Sequence, residues 1–323
     1  MSLTVDIEYH DGVISNINTT LKRPGEAIGQ WLAKQNDAAA LKALPTIFSV
    51  CGRSHEVAAK LALKQLTDLD EAREQTFHAV LESLREYMIR LIQHWNFPLS
   101  RTRLGQWMQA LYADEKSTAV LASEALNLLP DQRSISQWLT DLQHCWQQKF
   151  AGVKLAETSS FAEWSPQVNT SNDNYIAGCG AQVFSPLIKP AAAQFFTTQL
   201  QQVVADMLAD FRHLAGRITG DATGFSLIQQ REYNDPEGHH SEGWIRTSRG
   251  WLCHRISETD NDRHWRVMAP TDINYGENHT LLNELLNSVA ISEDKLTGLV
   301  TALVQAIDPC VEFSVSVNGK NHA

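Results

Sequence analysis

Thr46-Ile47-Phe48-Ser49-Val50-Cys51-Gly52-Arg53-Ser54-His55 stands at the head of a long series of helices, and its reading decides the fold. The run from Cys51 to His55 immediately precedes a helix starting near His55 or Glu56, which puts a sulfur close to the orphan N–H groups of a helix N-terminus. Such a place favours thiolate over thiol. The same residues also read as a small buried cysteine ahead of a helix. A structural zinc would want four nitrogen or sulfur ligands at close spacing, and no second cysteine lies near Cys51.

On the C-terminal side of this stretch, apolar periodicity predicts helix after helix: Val57 to Leu66, Asp70 to Trp95, Arg101 to Asp114, Ser117 to Leu128 and Ser134 to Phe150. Phe97-Pro98 and Pro130-Asp131 break the series. On the N-terminal side, Leu3 to Leu21 alternates around Asp11-Gly12, a pair suited to the positive φ of a tight turn, and predicts a β-hairpin. Pro24-Gly25 then opens a short helix with Ile28, Trp31 and Leu32 on one face. Residues 151–190 are rich in Ser, Asn, Gly and Pro and predict a long irregular segment. A helix over Ala191 to Gly216 follows. Strands are expected over Gly224 to Tyr233, Gly243 to Thr247, Trp251 to Glu258 and His264 to Met268, with Asn261-Asp262 turning between the last two. Helices Thr280 to Ala290 and Ser292 to Ile307 lead to a short apolar tail, Val311 to Val317. The pattern predicts an α+β, predominantly α-helical chain forming a single domain over residues 1–323, without internal repeats.

The chain has 323 residues, 43% of them hydrophobic, enough for a large packed core and too apolar for disorder. Its 37 acidic and 27 basic residues give a formal net charge of −10, which repels phosphate backbones and argues against nucleic acid as a partner. Met1 to His10 lacks the basic flank and apolar run of a secretory signal. Phe77 to Ile92 is interrupted by Glu82, Arg85, Glu86 and Arg90, and no apolar run approaches the ~20 residues a spanning helix needs. Five scattered cysteines, Cys51, Cys145, Cys179, Cys253 and Cys310, fit a reducing compartment better than a disulfide framework. The expectation is a soluble cytoplasmic protein without membrane insertion.

Three further segments carry chemistry-bearing residues. Asp308-Pro309-Cys310 ends the last helix, where Pro309 fixes φ and sets Cys310 on a stiff turn. Ser248-Arg249-Gly250-Trp251-Leu252-Cys253-His254 puts an arginine at a strand boundary beside a glycine that lets backbone approach closely. Ala269-Pro270-Thr271-Asp272 closes a strand with a hydroxyl after a proline. Singly, these read as a helix stop, an exposed ion-pairing arginine and an ordinary turn.

Together and in this order, the four segments resemble the large subunit of nickel–iron hydrogenases, with its motifs RxCGxCxxxH, PRGxLxH, VP(S/T) and DPCxxCxxH. Cys51 and His55 keep the second cysteine and the histidine of the first motif, while Phe48 replaces its first cysteine. Cys310 keeps the first cysteine of the last motif, with Phe313 replacing the second and Ser316 the histidine. Ser248 stands for the proline before Arg249, and the DPxTRxEGH element of the large subunit is absent. The likeness covers Leu3 to Leu63 and Gly243 to Val317. This shortened, cysteine-depleted pattern is similar to the hydrogenase maturation family called HupK or HoxV.

The resemblance implies a fold and a set of roles. The fold is a shortened hydrogenase large subunit with an N-terminal hairpin and a small C-terminal sheet. With two thiolates replaced by apolar rings that offer no donor electrons, a nickel site of the hydrogenase kind cannot form. No nickel and no hydrogen turnover are expected. Cys51 and Cys310, brought close together by the fold, would hold the iron–dicyanide–carbonyl group Fe(CN)2CO on its way to the large-subunit precursor. Arg249 matches the arginine that donates to one cyanide. Thr271 matches the hydroxyl that contacts the other, and His55 the histidine that hydrogen-bonds near the bridging sulfur. The implied partners are the maturation proteins that build and deliver the iron group and the hydrogenase large-subunit precursor. Processing after the position of Ser316 is not expected, because only Val317 to Ala323 follow.

Two other readings stand beside this scaffold. One is a cofactor-free structural subunit with a degenerate hydrogenase fold, which would have no need of thiolates at Cys51 and Cys310. The other is a cysteine-dependent enzyme using Cys51 with His55, in which a histidine four residues along would have to fold back on the sulfur. Cys253 reads as a small buried hydrophobe ahead of a spare ligand. His239-His240 reads as an exposed loop pair, Cys145 beside His144 as core packing, and Cys179 as a cysteine with nothing to pair with it in sequence. Trp31, Trp95, Trp107, Trp138 and Trp146 fall at helix positions suited equally to a core and to a docking face.

Overall fold

The computed structural model describes residues 1–113, 115–154, 196–220, 227–236, 238–259, 262–275, 281–286 and 288–322. Most of the irregular segment expected over 151–190, with Cys179, and Asn261 of the expected turn lie outside the described residues. In chain order the elements begin with β1 (Ser2–His10), β2 (Val13–Lys22), α1 (Gly25–Ala33), α2 (Asp37–Ile47), α3 (Gly52–Ala62) and α4 (Leu69–Trp95). Next come α5 (Arg101–Ala113), α6 (Thr118–Leu128), α7 (Gln132–Phe150), α8 (Phe196–Thr219), β3 (Ile228–Asp235), β4 (Gly238–Thr247), β5 (Gly250–Glu258) and β6 (Arg263–Met268). The chain closes with α9 (Pro270–Tyr275), α10 (Leu281–Leu286), α11 (Glu293–Ile307), β7 (Glu312–Val317) and β8 (Lys320–His322). None of the described helices is long and apolar enough to cross a membrane.

The chain divides into two compact units, Met1–Arg23 with Ser136–Met207 and Pro270–Ala323, and Pro24–Ile135 with Leu208–Ala269. In the first, Asp11 and Gly12 turn the expected hairpin with φ of 52° and 82°, and alternation sends Leu3, Val5 and Ile7 into the core. The apolar tail is a strand: β7 runs parallel to β1, pairing Leu3 with Phe313 and Asp6 with Ser316, and the sheet order is β2-β1-β7-β8. The helix expected over Thr280 to Ala290 is described only as α10. Ser288 takes φ of 64°, and its N–H donates to the Ile14 carbonyl while that of Ile291 donates to Gly12. Pairing with the hairpin's backbone thus takes the place of another helical turn.

In the second unit β3, β4, β5 and β6 form an antiparallel meander in sequence order, and α3 lies on one face of it. Val57, Ala58 and Leu61 pack with Ile245 and Leu252, while Leu44, Phe48 and Ala59 pack with Ile256 and Trp265. The approach is closest at Gly243, where a Cβ would stand 2.0 Å from the Ala58 carbonyl oxygen and 2.6 Å from the Ala62 nitrogen. Backbone cannot yield as a flexible side chain can. Gly243→Ala is therefore expected to cost about 3 kcal/mol, at the upper end of ordinary overpacking. An unchanged urea midpoint in that variant would contradict the contact. Helix α2, absent from the sequence reading, begins at an Asn36 cap that accepts from the Ala39 N–H at 2.9 Å and contains Pro45 near its end.

Candidate functional site

Cys51 is the N-cap residue of α3, half-buried, with φ −131° and ψ 35°. Its N–H donates to the Phe48 carbonyl at 3.1 Å, and its own carbonyl accepts from the His55 N–H at 3.0 Å. Cys51 makes no side-chain cap hydrogen bond to the helix N-terminus. Instead the N–H groups of Arg53 and Ser54 donate to the Glu82 carboxylate at 3.0 and 3.1 Å, joined by the Ser54 hydroxyl at 2.8 Å. Glu82 is the anion that satisfies this helix end. Burial pushes its carboxyl above the usual value despite those three hydrogen bonds.

Glu82 begins a row of charged residues on α4. Glu82, Glu86 and Arg90 recur every four residues on one face, with Arg85 beside them, and all four are buried. Arg85 donates to the Glu86 carboxylate at 2.7 and 2.9 Å, to the Tyr112 hydroxyl and to the Val50 carbonyl, next to Cys51. Burial opposes its charge, but Glu86 beside it leaves the Arg85 guanidinium above its ordinary pKa. Glu86 also accepts from Arg249 at 3.1 Å, and Arg90 donates to the Ser248 carbonyl at 3.3 Å. Arg249 stands at the tip of the β4–β5 hairpin, where Thr247 pairs with Gly250 and Gly250 takes φ of 129°. One helix thereby anchors both the Cys51 loop and the arginine hairpin. The sequence reading met these residues only as charges interrupting an apolar stretch; their four-residue spacing was the available signal.

His55 lies one helical turn after Cys51 and is 1% exposed. The Phe48 ring stacks on it at 3.6 Å between centroids and 2° between planes. Its Nδ1 is 2.9 Å from His254 Nε2, and the Trp265 indole N–H donates to His254 Nδ1 at 2.9 Å. His254 is fully buried, and desolvation pulls its pKa from 6.5 to about 3. Neither His254 nor Trp265 was singled out as a site residue in the sequence.

In the first unit Thr271 and Cys310 come together. The Cys310 N–H donates to the Thr271 hydroxyl oxygen at 3.0 Å, and that hydroxyl donates to the Cys310 sulfur at 3.0 Å. The sequence read the Ala269 to Asp272 stretch as an ordinary turn, but Pro270 opens the short helix α9, which needs no N–H at its first position. Asp308 ends α11 in the left-handed region, at φ 61°, and delivers the chain to Cys310. Ser316, in the histidine position of the last motif, donates to Asp6 on the neighbouring strand. Cys51, His55 and Arg249 belong to the second unit, Thr271 and Cys310 to the first.

Several secondary readings change. Cys145 is exposed on α7, one residue before the buried Trp146, and is not core packing. The pair His239-His240 is in strand β4 and not in an exposed loop: His240 is 3% exposed, 2.7 Å from both Ser257 Oγ and Asp235 Oδ1. Cys253 is buried on β5, on the opposite face from its neighbour His254. Trp95, Trp107 and Trp146 are core residues, while Trp31 is exposed. Among the described residues no three His, Cys, Asp or Glu side chains group closely enough to hold a metal ion.

The chain is 28% identical over 346 aligned positions to the hydrogenase expression/formation protein HupK of Azotobacter vinelandii, covering 98% of each chain. The chain is thus similar over nearly its whole given length to a HupK protein. It is also 27% identical to the hydrogenase expression/formation protein HupV of Azotobacter chroococcum mcd 1, again over 98% of each. No protein-family model matches the chain. Among solved structures it is similar to the reduced Ni-Fe-Se hydrogenase of D. vulgaris Hildenborough, at a TM-score of 0.51 and 12% identity over 94% of each chain. A reduced, active Ni-Fe-Se hydrogenase of Desulfomicrobium baculatum gives the same score and identity over 94% of this chain and 95% of that one. The fold is that of a nickel–iron hydrogenase large subunit, as the motifs implied.

Proposed function

We propose that this protein acts in hydrogenase maturation as a non-catalytic scaffold, holding the Fe(CN)2CO group on the thiolates of Cys51 and Cys310 before its transfer to the large-subunit precursor. The observation that carries the reading is similarity along the whole chain to hydrogenase expression/formation proteins in a chain that keeps one cysteine of each motif. The donor set fits such a cargo. Two soft thiolates suit iron, while Phe48, stacked on His55, leaves no donor atom where a nickel ligand would stand. The Glu82, Arg85, Glu86, Arg90 and Arg249 group sets three guanidinium groups against two carboxylates, and its excess cation suits an anionic cargo.

The chain's own residues then have distinct tasks. Cys51 and Cys310 bind, Arg249 donates to a cyanide from a guanidinium already oriented by Glu86, and Thr271 fixes the Cys310 sulfur through its hydroxyl. Partners that build the group and the precursor that receives it complete the pathway. Infrared spectra of protein purified anaerobically after co-production with the cofactor-synthesis machinery are expected to contain cyanide and carbonyl stretches, which ordinary protein groups do not give. Iron-free protein without these bands would reject the scaffold in favour of a cofactor-free subunit.

A further inference from the structure

An indole N–H only donates, so His254 Nδ1 accepts from Trp265. His254 is held neutral by its burial, and its single proton is therefore on Nε2. That nitrogen faces His55 Nδ1 at 2.9 Å, so His254 donates and His55 Nδ1 accepts. The proton of His55 must then be on its own Nε2. Each step forces the next because a donor-only group stands at the head of the row. Phe48, parallel to the His55 ring, and His254, edge-on to it at 80°, fix the plane of the imidazole as well.

We propose that His254 and Trp265 are positioning residues that lock His55 in its Nε2–H form, making this buried imidazole a permanent hydrogen-bond donor to the anionic ligand held at Cys51. His55 follows Cys51 by four residues, and side chains on a helix lean toward its N-terminus, which sets the ring over the turn carrying the sulfur. The tautomer lock follows from the hydrogen bonds alone; its use toward a ligand rests on the scaffold reading. The lock also removes the cysteine-dependent enzyme from consideration. With Nδ1 accepting from His254 and Nε2 carrying hydrogen, His55 has no acceptor nitrogen to take a thiol proton.

The test begins with iron-free, full-length protein labelled with nitrogen-15 in its histidine rings, using long-range proton–nitrogen correlation to read each tautomer. The 12 histidines are told apart by loss of a signal in His55→Gln and His254→Gln. In the wild type both rings are expected as single Nε2–H forms. Trp265→Phe, which keeps the aromatic bulk, should turn His254 and His55 into mixtures of tautomers. His254→Gln should retain the His55 form, because an amide can accept from Trp265 and donate to His55, whereas His254→Leu should lose it. A wild-type His55 protonated on Nδ1, or one unmoved by Trp265→Phe, would overturn the lock. On loaded protein, Trp265→Phe should displace the cyanide bands at unchanged iron content; unmoved bands in a variant with a mixed tautomer would reject the role toward the ligand. Wild-type protein that never loads iron would count against the scaffold and leave the tautomer result standing.

Discussion

Cys51→Ala and Cys310→Ala are each expected to strip the chain of most of its bound iron, while Arg249→Ala keeps a reduced share. The difference follows from coordination chemistry. A missing thiolate leaves an open position on the metal, whereas loss of a partner outside the bonded set typically lowers metal affinity by about 10–100-fold. Arg249→Ala has a second consequence, since Glu86 then loses the guanidinium that ties it to the tip of the β4–β5 hairpin, where Arg90 still donates to the Ser248 carbonyl. Cys145→Ala is the control: its sulfur is exposed on α7, and its removal should leave loading unchanged. Iron content and cyanide-band intensity, measured on the four variants under one anaerobic preparation, decide the matter. Wild-type loading in both Cys51→Ala and Cys310→Ala would end the scaffold mechanism.

The elements legible in the sequence were those whose signals are local. Asp11-Gly12 between alternating segments announced the hairpin, and 3.6-residue periodicity announced the long helix α4. Strand β7 read as a tail because its parallel pairing with β1 joins residues about 310 positions apart, as in Asp6 with Ser316. Helix α2 went unread; its Pro45 sits in the last turns of the helix, where the missing N–H interrupts little of the ladder. The site followed the same division. The cysteines, Arg249 and Thr271 were visible through motif spacing, but the buried row Glu82, Glu86 and Arg90 looked like interruptions until folding showed what each one holds. The helix expected to start near His55 or Glu56 begins at Gly52 instead, and its first N–H groups go to a carboxylate 28 residues away, a partner that local spacing does not announce.

Acidification should weaken the fold through His254, whose buried native environment refuses the proton that the unfolded chain accepts. Unfolded, the imidazole titrates near 6.5; folded, desolvation holds it at about 3. Its stabilising neutral form is fully present in both states above the higher value. As the pH falls below 6.5 the unfolded chain takes up a proton that the native state refuses, so stability drops until the folded value is passed. At pH 5 the loss from this one residue is about 2 kcal/mol, at about 1.4 kcal/mol per pH unit. Glu82 works in the opposite direction: its folded pKa is raised above 4.5, so the native state binds a proton first and gains stability as pH falls through that window. Total stability therefore mixes the two, and a substitution has to separate them. His254→Gln preserves both hydrogen bonds with an amide that does not titrate, leaving Glu82 untouched. Urea unfolding at pH 7 and pH 5 should show the wild type losing about 2 kcal/mol more than His254→Gln on acidification; equal losses would mean that His254 titrates alike in both states and that its burial does not control its charge.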